Sequence, residues 1–393
     1  MERSREPLPP VTRHGEEEVV QVRVATGEPL PVLFWQDQRA VYVMPSASAS
    51  SWLAEVVRSG GCSLAWPPDP PIPCSAELVA DPDEAARVRG RFREKYGETR
   101  YARYFGPRSK VVRIVPGAPA IPRGPGEVLE QEFNAVAAGY SDAVASNAIE
   151  QYLKQTSRDR LLAAFRSNGA LLEIGAGTGF ETVPLLAAGH EITVVDLSPR
   201  MLAELTERAR VAGVVGRLTC RAGRLSRLAE ALVDLGPGTF EGAYSTFGAF
   251  NLEEDLGSAP ETLARVLRPG SRLIFTTLNR PGALPLGWEI AAGNGRNALR
   301  RAHPALPAGS IRYPLTVYPR NPRFWDRALG RRFRRVGTLP VSVTAPPFES
   351  PRLVRWLGPV GGARARRWDE RLSRHPMLAP VGEWTFLTYE RLP

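Results

Sequence analysis

Apolar and polar residues alternate at the period of a β-strand along the first part of the chain, and beyond about residue 128 the period changes. Upstream, VVQVRVATG (19–27), PVLFWQDQRAVYVMP (31–45), CSLAWPP (62–68), CSAELVADP (74–82) and SKVVRIVP (109–116) alternate with period two. Two helical segments interrupt them: SSWLAEVVRSGG (50–61), which ends on glycines, and DPDEAARVRGRFREKYG (81–97), which opens on an Asp-rich turn. The pattern predicts a tail over 1–16 and a small, mostly β domain over 17–115. Prolines and glycines then crowd residues 116–127, which read as a linker.

Downstream, helical segments (130–140, 146–166, 181–188, 199–212, 257–267) alternate with the apolar runs ALLEIGAG, EITVVDLS, RLTCRAG, FEGAYSTFG and SRLIFTTLN. Alternation of this kind predicts an α/β domain over 128–393, a doubly wound and mostly parallel sheet with helices on both faces. FRRVGTLPVSVT supplies a sixth strand and GEWTFLTYERL an antiparallel seventh. Between the fifth and sixth strands, residues 281–332 are rich in aromatics, prolines and arginines. They are expected to form an insertion at the carboxyl edge, where such folds place substrate specificity. Its helix at 284–301 would roof a substrate with Trp288, and a helical stretch over 350–374 would add to the wall.

Composition narrows the function. Apolar residues make up 43 % and charged residues 23 % of 393 residues, enough for more than one packed core. No apolar run approaches the roughly 18 residues needed to cross a bilayer, and the polar start has no hydrophobic signal segment, so no membrane span and a cytoplasmic location are expected. Cys62, Cys74 and Cys220 form no CxxC pair, which argues against a disulfide framework and a structural metal. The formal charge is +10, yet only three of the 51 basic residues are lysine: Lys95, Lys110 and Lys154. Arginine saturation without a base-reading motif disfavours nucleic acid as the partner, even though residues 296–335 carry eleven arginines against one acid, Asp326.

LLEIGAGTGFETVPLL sets Gly175, Gly177 and Gly179 between a buried strand and an amphipathic helix, and Asp196 ends the next strand 21 residues after Gly175. Such a turn brings backbone close to a ligand, and an acid at the neighbouring strand end accepts hydrogen bonds from ribose hydroxyls. Glu173 stands two residues before the first glycine. It would repel a pyrophosphate and welcome an ammonium, so the loop points away from a dinucleotide and toward S-adenosylmethionine.

On these residues, with VVDLSPRML and LARVLRPGSRLIF, the stretch 128–280 resembles the class I S-adenosylmethionine-dependent methyltransferases. The resemblance implies that Glu173, Gly175 and Ala176 lie near the amino-acid moiety, Gly177 and Gly179 at the close-approach turn, Asp196 on the ribose, and Leu197 and Met201 around the adenine. It also implies Tyr140, in FNAVAAGYSD, near the methionine end. Many relatives carry an acid after the third strand for the adenine amino group. Arg224 stands there instead and accepts no hydrogen bond, so adenine recognition is expected from backbone groups of Gly223, Arg224 and Leu225 or from another side chain. Thr246 and Phe247 would border the departing methyl group, with Asn251 facing the substrate. Candidates for an acceptor-deprotonating base are Tyr140, Glu289 and His303, and none is assigned.

The first domain is similar to the split β-barrel family of flavin- and deazaflavin-dependent reductases, most clearly over CSAELVADPDEAARVRGRFREKYG and SKVVRIVP. At the expected phosphate position, residues 26–31 include Glu28 and two prolines, so the barrel is expected to lack that cofactor and to serve as a cover or a homodimer contact. The sequence thus leads to a methyltransferase for a small, hydrophobic metabolite, yielding S-adenosylhomocysteine. Two alternatives stay open: a scaffold of the same fold that catalyses a cyclisation or rearrangement without methyl transfer, and a flavin- or deazaflavin-linked bifunctional reductase-methyltransferase.

Overall fold

The computed structural model describes residues 19–24, 28–45, 50–105, 109–120, 122, 124–145, 147–166, 168–279, 283–291, 293, 295, 298–299, 316–341, 343, 364, 367–379 and 381–393. The chain divides into two units, 1–139 and 140–393.

In the first unit, β1 (Val19–Arg23) buries Val20 and Val22 and turns Val19 and Arg23 outward, as its alternation predicts. With β2 (Leu30–Gln36), β3 (Val41–Val43), β4 (Gly61–Ala65), β5 (Ile72–Leu78) and β6 (Val112–Pro116), it closes an antiparallel barrel in the order β1-β2-β3-β6-β5-β4. Closure leaves no sheet edge open to pair with another chain. The barrel core combines Val20, Val22, Phe34, Leu64 and Ile114 with Trp52, Leu53, Val56 and Val57 from α1 (Ser50–Ser59).

α2 (Pro82–Tyr96) starts where Asp81 accepts a hydrogen bond from the Glu84 amide, and it buries Ala85, Val88, Phe92 and Tyr96. The Tyr96 hydroxyl accepts from the Phe34 amide at 3.0 Å and donates to the Phe34 carbonyl at 2.6 Å, pinning the helix to β2. α3 (Glu98–Tyr104) escapes the sequence pattern because Gly97, at φ 76°, interrupts the helix and seven residues are too few to show a period. α4 (Pro125–Ala145) begins inside the stretch read as linker; proline is tolerated in a first turn because its missing N–H has no helical partner there. Val128 and Ala135 of α4 pack on the barrel core, and its last residues, from Tyr140, belong to the second unit.

The second unit carries a seven-stranded sheet of β7 (Ala170–Ile174), β8 (Glu191–Asp196), β9 (Leu218–Ala222), β10 (Phe240–Ser245), β11 (Leu267–Leu278), β12 (Phe333–Pro340) and β13 (Trp384–Arg391). The order is β12-β13-β11-β10-β7-β8-β9. β7 to β11 pair in parallel, and β13 runs antiparallel between β11 and β12. Period two sends neighbouring residues to opposite faces: Leu171, Tyr244 and Ile274 enter one core with Leu161, Leu185 and Leu205, whereas Leu172, Ala243 and Phe275 enter the other with Phe250 and Leu263. Helices α5 (Ala148–Ala164), α6 (Thr182–Ala187), α7 (Pro199–Val211), α8 (Leu228–Ala231), α9 (Ala259–Val266), α10 (Ala283–Ala291) and α11 (Pro322–Ala328) complete the unit. Strand order reverses between β7 and β10, which opens a crevice at the carboxyl ends of the parallel strands.

The stretch expected to be a lid divides differently from that expectation. α11 within it is core: Trp325 is fully buried, donates to Thr277 Oγ1 at 2.9 Å, and meets the rings of Phe250 and Phe275 edge-on. Its aromatic content is spent on packing there, since burying such rings outweighs any exposed use. α10 begins the expected roof helix, while residues 301–315 and most of 350–374 lie outside the described residues.

Candidate functional site

The glycine loop forms because β7 is apolar and buried up to Ile174, after which the chain must reverse into α6. Gly175 makes that reversal at φ 72°, and a side chain there would also strike the Ala249 methyl group, at 2.5 Å from its Cβ. Gly177, at φ 55°, leaves only the Tyr140 ring nearby, 3.9 Å from where a Cβ would stand. Tyr140 is held over the loop through its neighbour. The Ser141 hydroxyl donates to Thr178 Oγ1 at 3.0 Å, and Arg208 of α7 donates to the Thr178 carbonyl at 2.8 Å.

Asp196 closes the loop from the side. Its Oδ2 accepts from the Gly177 amide and its Oδ1 from the Ser198 amide, both at 2.9 Å, so each oxygen retains a lone pair for a ligand hydroxyl. Burial pushes its carboxyl up to about 6, against the lowering effect of the Ser198 and Gly177 amides. Leu197 is half-buried, whereas Met201 is fully buried.

Glu173 is almost fully buried and accepts from Thr182 Oγ1 at 2.6 Å and from the Tyr244 hydroxyl at 2.8 Å, both on Oε2. Burial raises its carboxyl to about 8; the two hydrogen bonds lower it, while the nearby Glu181 and Asp196 charges raise it further.

A residue that the motif reading passed over completes the site. Lys154 of α5 is buried, with its ammonium 5.0 Å from the Phe247 ring centroid, 5.5 Å from Phe180 and 5.7 Å from Tyr140. Such a three-ring box favours a cation. Burial alone would depress its pKa, but Glu181, Tyr140, Glu150 and Glu173 together hold it above the ordinary lysine value. Glu181 Oε1 lies 4.0 Å away, too far for a hydrogen bond, and has no hydrogen-bond partner among the described residues. A buried ammonium and a buried carboxylate oxygen, ion-paired but without a hydrogen bond between them, present the two charges that complement a free amino-acid group.

Phe247 belongs to this box through its backbone. It takes φ 51°, a conformation costly for a side chain of its size, secured by its amide donating to Thr276 Oγ1 at 2.6 Å and by an edge contact with Trp384. Thr246 is buried beside it. Asn251 departs from the expected role. It is fully buried, its amide group donates to the Tyr318 carbonyl at 2.8 Å and its oxygen accepts from the Leu278 amide at 2.8 Å, so it ties the loop after β10 to β11 and has nothing exposed for a substrate.

Arg224 is likewise engaged, as Glu253 takes two of its hydrogen bonds at 2.7 and 3.2 Å. Gly223 donates its amide to the Asp196 carbonyl at 2.9 Å, and Leu225 is buried. Backbone near Gly223 is therefore shared with the strand end that carries Asp196. Glu289 is fully buried on α10; the Trp288 side chain and His303 lie outside the described residues. Among the described residues no three metal-ligating side chains gather, and no helix is long and apolar enough to cross a membrane.

Comparison with known proteins follows this geometry. The methyltransferase domain family matches residues 172–275, from the end of β7 through the middle of β11. An uncharacterized protein of Mycobacterium tuberculosis is 31 % identical over 150 residues, 38 % of this chain and 48 % of that one. The chain thus spans about half the length of that relative. A malonyl-[acyl-carrier protein] O-methyltransferase of Erwinia pyrifoliae is 31 % identical over 195 residues, 47 % of this chain and 68 % of that one. Among solved structures, a geranyl diphosphate C-methyltransferase from Streptomyces coelicolor gives a TM-score of 0.40 at 14 % identity, over 61 % of this chain and 81 % of that one.

Proposed function

Because the chain belongs to the class I S-adenosylmethionine-dependent methyltransferases, we propose that it transfers a methyl group from S-adenosylmethionine to a small, hydrophobic metabolite. The observation that carries this reading is the buried pair of Lys154 and Glu181, which lack a hydrogen bond to each other and would complement a zwitterion, with Asp196 at the glycine loop to accept from ribose hydroxyls. Lys154 would hold the cofactor's carboxylate, Glu173 and Glu181 its ammonium, and Asp196 its ribose hydroxyls.

The cofactor supplies an activated methyl group on sulfur. The chain's own part is to orient and to exclude water. An in-line displacement is accelerated chiefly by holding nucleophile and methyl close and collinear in a dry site. Phe247, Phe180 and Tyr140 surround the Lys154 ammonium with apolar ring surface, and such surface beside the cofactor would suit a hydrophobic acceptor. A relative named for demethylmenaquinone methylation is consistent with an acceptor of this kind, whereas one named for malonyl-[acyl-carrier protein] is not. No base is assigned, since methyl transfer proceeds without one when the acceptor is already nucleophilic.

Titration calorimetry with S-adenosylhomocysteine tests the reading: well-folded protein that shows no heat of binding refutes it. Asp196→Ala is expected to weaken binding by about 1–3 kcal/mol, through ribose hydroxyls left unpaired. The mass of the product formed from candidate acceptors then separates methyl transfer, which adds one methyl and leaves demethylated cofactor, from an isomerisation that leaves the cofactor intact.

A further inference from the structure

Cys62 and Cys74 stand directly opposite each other on the antiparallel strands β4 and β5. Residues paired in this way have Cα atoms about 4.5–5.5 Å apart and side chains on one face, inside the range a disulfide spans. Both side chains enter the barrel core cluster, Cys74 fully buried and Cys62 half-buried at its margin. We propose that Cys62 and Cys74 are a modification site, a dithiol that a hydroperoxide converts reversibly to a cross-strand disulfide.

The neighbouring Cys62 thiol, helped by the Leu64 and Gly117 backbone, lowers the Cys74 thiol against the opposing effect of burial, while Cys74 and burial raise Cys62. In its protonated form Cys74 donates to the Ile72 carbonyl at 3.1 Å. In the proposed step the Cys74 thiolate is the nucleophile. It attacks one peroxide oxygen, the O–O bond breaks, and the displaced oxygen leaves as water or alcohol with a proton, giving a sulfenic acid. The Cys62 sulfur then attacks the sulfenic sulfur, the S–O bond breaks, and the hydroxyl leaves as water with the Cys62 proton. One hydroperoxide is reduced by two electrons and two thiols are oxidised. A thiol reductant reverses the change, in keeping with the transient disulfides of reducing compartments.

The third cysteine provides an internal control. Cys220 lies on β9 of the other unit, beside Thr206, with no second thiol opposite it. The full chain is treated with hydrogen peroxide, quenched, alkylated under denaturing conditions and mapped by mass spectrometry without reductant. The expected result is loss of two hydrogens, a linked peptide pair containing Cys62 and Cys74, and alkylated Cys220; dithiothreitol should restore both thiols. Cys220→Ser should give the same link, and Cys62→Ser should abolish it and leave Cys74 open to higher oxidation. Recovery of Cys62 and Cys74 as alkylated thiols after Cys220 has oxidised, or links only between chains, would overturn the proposal.

Discussion

In the barrel unit Lys110 meets, among the described residues, the carboxylate of Glu132 in an interior contact, and burial pushes the ammonium down to about 7. In the sheet unit Lys154 is as deeply buried but faces Glu181, Tyr140, Glu150 and Glu173, and it keeps its charge. The same residue type therefore serves two purposes. A lone interior pair fastens α4 to the segment before β6, and replacing both partners by apolar groups would cost little. An ammonium outnumbered by carboxylates, boxed by rings and lacking a close hydrogen bond is arranged for a ligand that brings the missing charges.

Breaking the first pair should have the largest effect. Lys110→Met alone is expected to cost about 3–5 kcal/mol of stability, because Glu132 is then left buried without a partner, while Lys110→Met with Glu132→Leu should recover most of it. Chemical denaturation of the two variants, with S-adenosylhomocysteine affinity unchanged in both, would confirm that this lysine is structural. A fully stable single mutant would erase the contrast.

Lys154→Met should act the other way, weakening S-adenosylhomocysteine by about 2–5 kcal/mol through loss of the carboxylate's buried partner. Lys154→Arg should fail to restore it, since a planar guanidinium is too broad for a box of three rings. Wild-type affinity in calorimetry for the methionine variant would remove Lys154 from the site.

The third effect is on pH dependence. Ligand binding needs Asp196 and Glu173 ionised, so affinity should rise as pH passes from about 6 to about 8 and level off above. Folding stability should move oppositely. The folded state holds the Glu173 proton above the ordinary value of 4.5 and up to about 8, so it binds more protons than the unfolded chain in that window, and stability falls as pH rises through it. Glu173→Gln should flatten the stability profile and weaken binding, read by thermal unfolding and calorimetry across that range. A profile unchanged by the substitution would show that another group titrates.

Much of the molecule was legible along the chain. Period-two alternation identified the barrel strands, and the spacing from Gly175 to Asp196 located the glycine loop and the acid that closes it, because backbone geometry at a tight turn constrains residue type locally. Asn251 was misread for the opposite reason: a polar residue at a strand end looks the same in sequence whether its amide faces a ligand or is spent on the Leu278 and Tyr318 backbone. Lys154 had one faint signal. It is one of three lysines in a chain with 51 basic residues.

The sequence by itself determined the element types, the parallel sheet and the glycine loop with its acids, since these depend on periodicity and on conformations open to few residues. Only the tertiary structure decided which buried groups are left unspent. Lys154 and Glu181 are 27 residues apart and Phe247 lies 93 residues beyond Lys154; no local pattern records that α5, the start of α6 and the loop after β10 converge on one ammonium. Convergence of that kind follows from the crossover connections of a parallel sheet, which bring distant strand ends to one edge.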